Sequence, residues 1–344
     1  MPLLPRAPRL FFLGIALSLT AACQGSQRVT PPPDGAAPAT PEPRPGPQRE
    51  AAPPIPEPEG ATPIPAGSPA GSPAGSPAVP AGAPSPAPPP LPEGARIFDH
   101  RHADLGRIPA RCAQALTSSQ AVVHYGHRSH GSQILVGAKT LREAHPAFKL
   151  AVGYTSVPRE QGALRMWDGM TKDNAVKPED YWASEAGVAD LRALLKAHPE
   201  IRYSMWAWSS EISRQTEQDI KRYLDTLDAL GREFPKVTFI YTTGPADEAY
   251  QGPNRARRNQ QIREHSLKNG KVLFDFEDLD AWYGGHRHTA VVDGVEIPME
   301  HPRYSVKTPG NKDHGWTHTT LESCENKARA FFWMMAKLEG CELP

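Results

Sequence analysis

The sequence predicts an α/β domain with a mostly parallel, five-stranded sheet, preceded by a signal peptide and a disordered proline-rich linker. Two observations predict the domain: short apolar runs bounded by turn residues recur between residues 121 and 276, and amphipathic helical stretches separate most of them, as in β-α-β units. A third observation predicts the N-terminal organisation, because most of the 39 prolines of the chain precede residue 93.

Residues 1–22 have the pattern of an export signal. Two arginines precede an apolar run over residues 10–19, which is too short to span a bilayer comfortably. The segment Leu19-Thr-Ala-Ala-Cys23 resembles the lipobox of bacterial lipoproteins, in which the cysteine is lipidated and becomes the new N-terminus. With Gln24 after Cys23, the resemblance implies a lipid anchor in the outer membrane. An ordinary cleaved signal is the alternative.

Residues 23–92 are rich in Pro, Ala, Gly and Ser and contain an Ala-Gly-Ser-Pro repeat over residues 66–77. Such a segment has almost nothing to bury and cannot offset the entropy lost on ordering, so we expect a disordered tether between membrane and domain. The formal net charge of the chain is zero, which gives no support to binding of nucleic acid.

Residues 93–344 are long enough for one domain with a substantial core. The expected strands are Ala121–Tyr125, Phe148–Tyr154, Ile201–Trp208, Val237–Tyr241 and Lys271–Phe276. The expected helices are Ala186–Ala197, Glu217–Glu233, Arg255–Asn269 and Ser323–Leu338. Residues 283–316 lack clear periodicity, which predicts a long loop after the last strand. We expect this loop to be functional or partly disordered.

Three cysteines follow the tether, so at most one disulfide can form among them. Cys324 and Cys341 bracket the last helix and would lie about 25 Å apart if it is straight. Cys112 paired with either one is therefore favoured, and the sequence does not choose between them.

The segment Ala121-Val-Val-His-Tyr-Gly-His-Arg-Ser-His-Gly131 is a short apolar strand that leads into a turn displaying Ser129. A serine in such a turn is aimed outward, and the neighbouring backbone N–H groups are free to stabilise an oxyanion, as a serine nucleophile requires. A solvated turn serine is the alternative interpretation.

The order of motifs resembles the SGNH (GDSL-like) hydrolases, serine esterases with a flavodoxin-like, three-layer fold. A subgroup of exported bacterial proteins offers a closer likeness in five segments: His127-Arg-Ser-His-Gly131, Met205-Trp-Ala-Trp-Ser209, Tyr241-Thr-Thr-Gly244, Phe274-Asp-Phe-Glu-Asp-Leu-Asp280 and Lys327-Ala-Arg-Ala-Phe-Phe-Trp333. The likeness covers most of residues 120–340. It implies Ser129 as nucleophile, with the histidine that precedes the last helix, His318, as general base.

The resemblance also implies oxyanion donors, but two residues of the superfamily pattern are missing from this sequence. Gly169 corresponds to the block glycine, while the superfamily's asparagine donor is absent. Ser209 or Ser210 is the candidate that replaces it, with Ser209 as the third donor alongside the N–H groups of Ser129 and Gly169. Gly315 occupies the place of the acid that usually lies three residues before the histidine.

Two carboxylates could orient the imidazole of His318. Asp313 lies in the same loop and Asp278 lies at the end of the fifth predicted strand. A dyad without an orienting acid is also possible, and His314 competes with His318 as the base.

We therefore expect an esterase for an acylated or acetylated carbohydrate, acting without a cofactor or metal. The missing donor and acid favour an alternative from another class, a catalytically silent glycan- or envelope-binding module. A third reading is a metal-dependent hydrolase, because five histidines lie between His286 and His318.

Overall fold

The computed structural model of the protein describes residues 96–154, 156–170, 176–247, 251–315 and 317–343. The signal peptide, the lipidation site Cys23 and the tether predicted for residues 1–92 lie outside the described residues. Within them, no helix combines the length and the apolar character that crossing a membrane requires.

The described residues form a central sheet of seven strands, all parallel, in the order β1-β7-β6-β5-β2-β4-β3. In chain order the strands are β1 (Arg96–Phe98), β2 (Val122–Gly126), β3 (Leu150–Tyr154), β4 (Leu164–Asp168), β5 (Ile201–Trp206), β6 (Thr238–Thr242) and β7 (Val272–Phe274). The five predicted strands are confirmed as β2, β3, β5, β6 and β7. The prediction missed β1 and β4, so the sheet has seven strands rather than five.

Seven α-helices accompany the sheet within the described residues. They are α1 (Ala110–Ser118), α2 (Ser132–Ala144), α3 (Glu185–Ala197), α4 (Glu217–Glu233), α5 (Gly252–Lys268), α6 (Phe276–Ala281) and α7 (Leu321–Leu338). The four predicted helices are confirmed as α3, α4, α5 and α7, with small differences at their ends. Helices α1, α2 and α6 were not predicted.

Two hydrophobic clusters cover opposite faces of the sheet. Successive residues of β2 show the division, because Val122 belongs to the cluster with α3, α4 and α5, whereas Val123 belongs to the cluster with α1, α2 and α7. Since both faces are covered, the strands are buried on both sides, as is usual for parallel sheets. The arrangement is α/β and compatible with a three-layer sandwich.

Helices α2 and α7 pack closely at Gly137. A Cβ atom at this position would lie 2.0 Å from the backbone oxygen of Cys324, so only glycine permits this approach. Helix α2 begins at the carboxyl edge of the sheet directly after β2. The close contact therefore holds the loop before α7 near that edge.

The excursion over residues 283–316 contains regular structure. Antiparallel pairs form between β8 (Trp282–Tyr283) and β9 (His286–Arg287), and between β10 (Thr289–Val292) and β11 (Val295–Pro298). The segment after β11 is tied to the domain, because the N–H of Glu300 donates to the oxygen of Ala246 at 2.7 Å.

A disulfide joins Cys112 to Cys341, and Cys324 is a buried free thiol. The preference for Cys112 as one partner is confirmed. The bond connects α1 to the segment that follows α7, and burial raises the pKa of Cys324 to about 11.

Candidate active site

The Ser129 turn follows β2 directly at the carboxyl edge of the sheet. Residues Ser129–Gly131 form one turn of 3-10 helix that continues into α2. Gly131 has ordinary helical angles (φ −65°), yet a Cβ atom there would lie 2.3 Å from Cβ of His127 and 2.9 Å from the hydroxyl of Tyr125. The glycine of the His-x-Ser-x-Gly segment is therefore required by space and not by backbone conformation.

The Ser129 side chain is half-buried, and no hydrogen bond to its hydroxyl is found among the described residues. The first hydrogen bond of the turn runs from Gly131 N–H to Arg128 O at 3.0 Å. The N–H groups of Ser129 and His130 precede that bond and have no acceptor within the turn, as is general for the start of a helix. They form a pair of donors beside the hydroxyl.

His130 connects three strand ends at this edge. Its Nε2 lies 2.8 Å from Oδ2 of Asp247, which follows β6, and its Nδ1 lies 2.6 Å from the hydroxyl of Ser209, which follows β5. His130 and Ser209 are 3% and 4% exposed, so their contact is internal, whereas Asp247 is half-buried. Strands β2, β5 and β6 are neighbours in the sheet, which explains the convergence.

The charges around His130 favour its protonated form. Burial opposes protonation, but the hydrogen bond and charge of Asp247, with the charges of Asp280 and Glu211, raise the pKa of His130 overall. Burial acts to raise the pKa of Asp247, and the contact with His130 outweighs it, so the pKa of this carboxyl is lowered. Both shifts favour the charged forms, an imidazolium at His130 and a carboxylate at Asp247.

His318 lies against the Ser129 turn. Its ring stacks on the ring of His130, with centroids 4.8 Å apart and an angle of 28° between the planes. The side-chain amide of Gln133, in the first turn of α2, donates to the Thr317 oxygen at 2.7 Å and fastens the two segments together. His318 is exposed and has φ +63°, a left-handed conformation that costs free energy in a residue other than glycine and is often found at functional sites.

The two candidate orienting acids have other contacts. Asp313 accepts hydrogen bonds from the backbone N–H groups of Thr317 and His318, at 3.0 and 3.1 Å, so it shapes the loop rather than contacting the imidazole. Asp278 lies on α6 and binds the side chain and the N–H of His100. In this structure neither carboxylate has a hydrogen bond to the His318 ring.

Gly169 directly follows β4, the strand beside β2, with φ +94°. Because β4 was not predicted, the sequence made this glycine look remote from a strand. Its N–H donates to the oxygen of Tyr125 at 2.7 Å, so this group is engaged within the sheet edge. The Ser209 N–H is engaged as well, with Glu211 Oε1 at 3.1 Å, which leaves its hydroxyl as the group facing His130.

A second buried histidine–carboxylate contact lies below the turn. His127 Nε2 is 2.9 Å from Oδ1 of Asp168, the last residue of β4. His130, Asp247 and Asp168 were not chosen from the sequence. Each lies in or after a strand, and His130 lies in the segment 121–131 that the sequence analysis selected. Their positions at strand ends were the signal by which they could have been identified.

Only one group of ligand-type side chains has spacing suitable for a metal within the described part of the chain: Asp99, His100 and Asp278. It lies outside the histidine-rich excursion. Asp99 is held by the guanidinium of Arg101, with Nε 2.9 Å from Oδ1, and Asp278 is held by His100, so protein groups already occupy these carboxylates.

Comparison of the chain with protein-family models found no match, and comparison with curated proteins found none either. The function is therefore argued from the site itself.

Proposed function

We propose that the protein is an SGNH-like serine esterase with Ser129 as nucleophile and His318 as general base. The observation that carries the proposal is the stacking of His318 on His130, the residue next to Ser129, at 4.8 Å between ring centroids. The Ser129 turn and the His318 loop, which are far apart in the chain, meet at one strand end. This supports the pairing of a hydroxyl with an imidazole that nucleophilic catalysis requires.

The strand order supports the family. Numbered by their own order in the chain, the strands β4-β2-β5-β6-β7 read 2-1-3-4-5, the order of flavodoxin-like folds. Ligands of such folds bind where the order reverses, which here is between β2 and β5. Ser129 follows the first of these strands and Ser209 follows the second.

In the proposed reaction the Ser129 oxygen attacks the acyl carbon, and His318 takes the hydroxyl proton. The carbonyl oxygen becomes an oxyanion and accepts hydrogen bonds from the N–H groups of Ser129 and His130. His318 returns the proton to the departing alcohol as the C–O bond breaks. Water then hydrolyses the acyl-enzyme by the same steps, with His318 again removing and returning a proton.

Ser209 supplies a third donor when His130 is an imidazolium. A protonated His130 donates from Nε2 to Asp247 and from Nδ1 to the Ser209 oxygen, so the Ser209 O–H proton remains free for the oxyanion. A neutral His130 that donates to Asp247 instead accepts from Ser209 and removes this donor. The carboxylate of Asp247 thus allows a serine to replace the missing asparagine.

The contacts of Ser209, His130 and Asp247 also resemble a nucleophile–base–acid chain. Burial argues against that role, because attack would require the acyl carbon to reach bonding distance of the Ser209 oxygen, and Ser209 is only 4% exposed, whereas Ser129 is half-buried. Donation to the oxyanion requires only that the Ser209 O–H proton points into the site. We assign the three residues to oxyanion stabilisation and leave the attack to Ser129.

Hydrolysis of p-nitrophenyl acetate by purified variants tests the assignment. Ser129→Ala and His318→Ala should each reduce kcat by at least about 1000-fold, because nucleophile and base act as a unit. Ser209→Ala and Asp247→Asn should reduce kcat by about 100-fold, the usual effect of losing one oxyanion donor. His314→Ala is the matched control, since this exposed histidine of the same loop should be replaceable without loss.

Four results would reject the assignment. Full activity in Ser129→Ala would exclude it as nucleophile, and loss of all activity in Ser209→Ala with activity kept in Ser129→Ala would transfer the role to Ser209. Loss on chelation, with Ser129→Ala unchanged, would favour the metal-dependent hydrolase. Absence of turnover with retained glycan binding would favour the silent module.

We further propose an acylated or acetylated carbohydrate as substrate and the outer membrane as location, with Cys23 lipidated. The Cys112–Cys341 disulfide supports an oxidising compartment, since such bonds are rare in cytosolic proteins. Expression of the full chain with Cys23→Ala should move the protein from the membrane fraction to the soluble fraction. Unchanged membrane association would contradict the lipid anchor.

A further inference from the structure

A cavity of about 260 Å³ lies beside the first turns of α7. None of its lining residues belongs to the Ser129 turn or to the loop of His318. Four aromatic or imidazole rings and two polar side chains of α7 line it: His100, Trp282, Tyr283, Tyr304, Glu322 and Asn326.

The Trp282 ring is held rigidly on one side. Its indole stacks on the imidazole of His100, with centroids 4.1 Å apart and planes 11° from parallel. His100 is itself fixed, because its ring and its backbone N–H both bind the carboxylate of Asp278, the latter at 2.9 Å. Asp278, a candidate catalytic acid from the sequence, therefore supports an aromatic platform.

Tyr283 forms a second ring at the cavity and is 38% exposed, which is unusual for a large aromatic side chain. Arg303 lies over this ring, with Cζ 5.7 Å from the centroid, and its Nε binds Glu322 at 2.6 Å. The next residues, Gly284 and Gly285, have positive φ angles of 57° and 81° and turn the chain from β8 into β9 with open space around both. The hairpin itself therefore leaves the Tyr283 ring uncovered, although Arg303 packs over the ring and the rings of His301 and Tyr304 lie beside it.

We propose that this cavity binds one neutral pyranose ring of a glycan. The apolar C–H face of a pyranose packs against aromatic rings such as Trp282 and Tyr283, and the carboxylate of Glu322 can accept hydrogen bonds from hydroxyl groups. Arg303 already neutralises Glu322, so the cavity offers no free charge to a charged sugar. A volume of about 260 Å³ is below that of a drug-sized pocket and suits a single ring.

The cavity is close enough to the proposed active site to act as a neighbouring subsite. Glu322 follows His318 by four residues, which limits their Cα separation to about 14 Å. A ring in the cavity would then belong to the same oligosaccharide as the ring that carries the ester. This role rests on the proposed function, whereas sugar binding itself can be measured without turnover.

Saturation-transfer difference NMR tests the proposal on the full chain carrying Ser129→Ala, which removes hydrolysis. The probes are the methyl glycosides of glucose, galactose, mannose and N-acetylglucosamine. We expect saturable binding of at least one probe with Kd on the order of 1 mM, as suits a ligand of this size. Adding Trp282→Ala or Tyr283→Ala should weaken binding at least about fivefold. Tyr154→Ala is the matched control, because this tyrosine is exposed at the end of β3.

Absence of saturable binding for every probe, or equal binding after Tyr283→Ala, would overturn the proposal. Tyr283 decides the outcome even if Trp282→Ala fails to fold, because its side chain is partly exposed. The two proposals fail separately: binding without any esterase activity refutes only the serine mechanism, and esterase activity without binding refutes only the subsite.

Discussion

The contact between α2 and α7 at Gly137 can be tested by adding one methyl group. Replacing a helical glycine with alanine normally stabilises a protein by about 0.5–1 kcal/mol. At Gly137 the new Cβ would lie 2.0 Å from a backbone oxygen of α7, about 1.5 Å closer than ordinary contact. Backbone cannot move aside as a flexible side chain can, so the helices must separate. Overpacking of this kind costs about 3 kcal/mol, which leaves a net loss of about 2 kcal/mol.

Gly231 provides the matched control. It lies in α4, and a Cβ atom there would meet its nearest neighbour, Phe239, at an ordinary 3.8 Å. Gly231→Ala should therefore raise the free energy of unfolding by about 0.5–1 kcal/mol. The two variants should differ by about 3 kcal/mol, in opposite directions from the wild type.

Urea denaturation followed by circular dichroism measures both variants. With a slope of about 2–3 kcal/mol per molar urea, the midpoint of Gly137→Ala should fall by about 1 M. At urea concentrations below the unfolding range, the proposed esterase activity of this variant should also be reduced, because α7 carries the His318 loop away from the Ser129 turn. A Gly137→Ala protein as stable as the wild type would refute the claim that close packing of α2 and α7 holds the His318 loop near the Ser129 turn.

Three further outcomes follow from the structure. Burial and the charge of Asp280 raise the pKa of Glu300 to about 7. The contribution of Glu300 to stability is therefore full below about pH 4.5 and is lost as pH rises through 7. The unfolding free energy should fall between about pH 5 and pH 8, and Glu300→Gln should make that fall smaller. Reduction of Cys112–Cys341 should lower the unfolding free energy by about 2–5 kcal/mol in urea titrations with and without reductant, and no change would contradict a structural role. Because His318 has φ +63°, the free energy of unfolding of His318→Gly should exceed that of His318→Ala by about 1 kcal/mol, so that His318→Gly unfolds at higher urea; equal midpoints would argue against backbone strain there.

Much of the fold could be predicted because its signals are local. In α4 the apolar positions repeat at helical spacing, and all five of them, Ile220, Tyr223, Leu224, Leu227 and Leu230, are buried. The strand before Ser129 is mostly apolar, with His124 as its one polar residue, and all five of its residues are buried, as is expected in a parallel sheet. Strand β1 escaped prediction because it has three residues and depends on pairing with β7. Strand β4 escaped because Arg165 interrupts its apolar pattern.

The site was predictable only in part. Ser129 and His318 could be chosen from motifs, and the structure brings their segments together through His130. The partner of His130 could not be chosen, because Asp247 comes from a different strand end and contact between them depends on strand order in the sheet. The contact of Asp278 could not be predicted for the same reason, because its carboxylate binds His100, which is 178 residues away in the sequence.

The bond between Cys112 and Cys341 determines what happens when a protease cuts the domain. These residues are 229 positions apart, so nearly the whole domain lies inside one covalent ring. A protease that cuts a surface loop anywhere within that ring opens it without releasing a fragment. A nicked molecule would keep both pieces attached to whatever holds its N-terminus, and a single cut would not shed the domain into the surroundings.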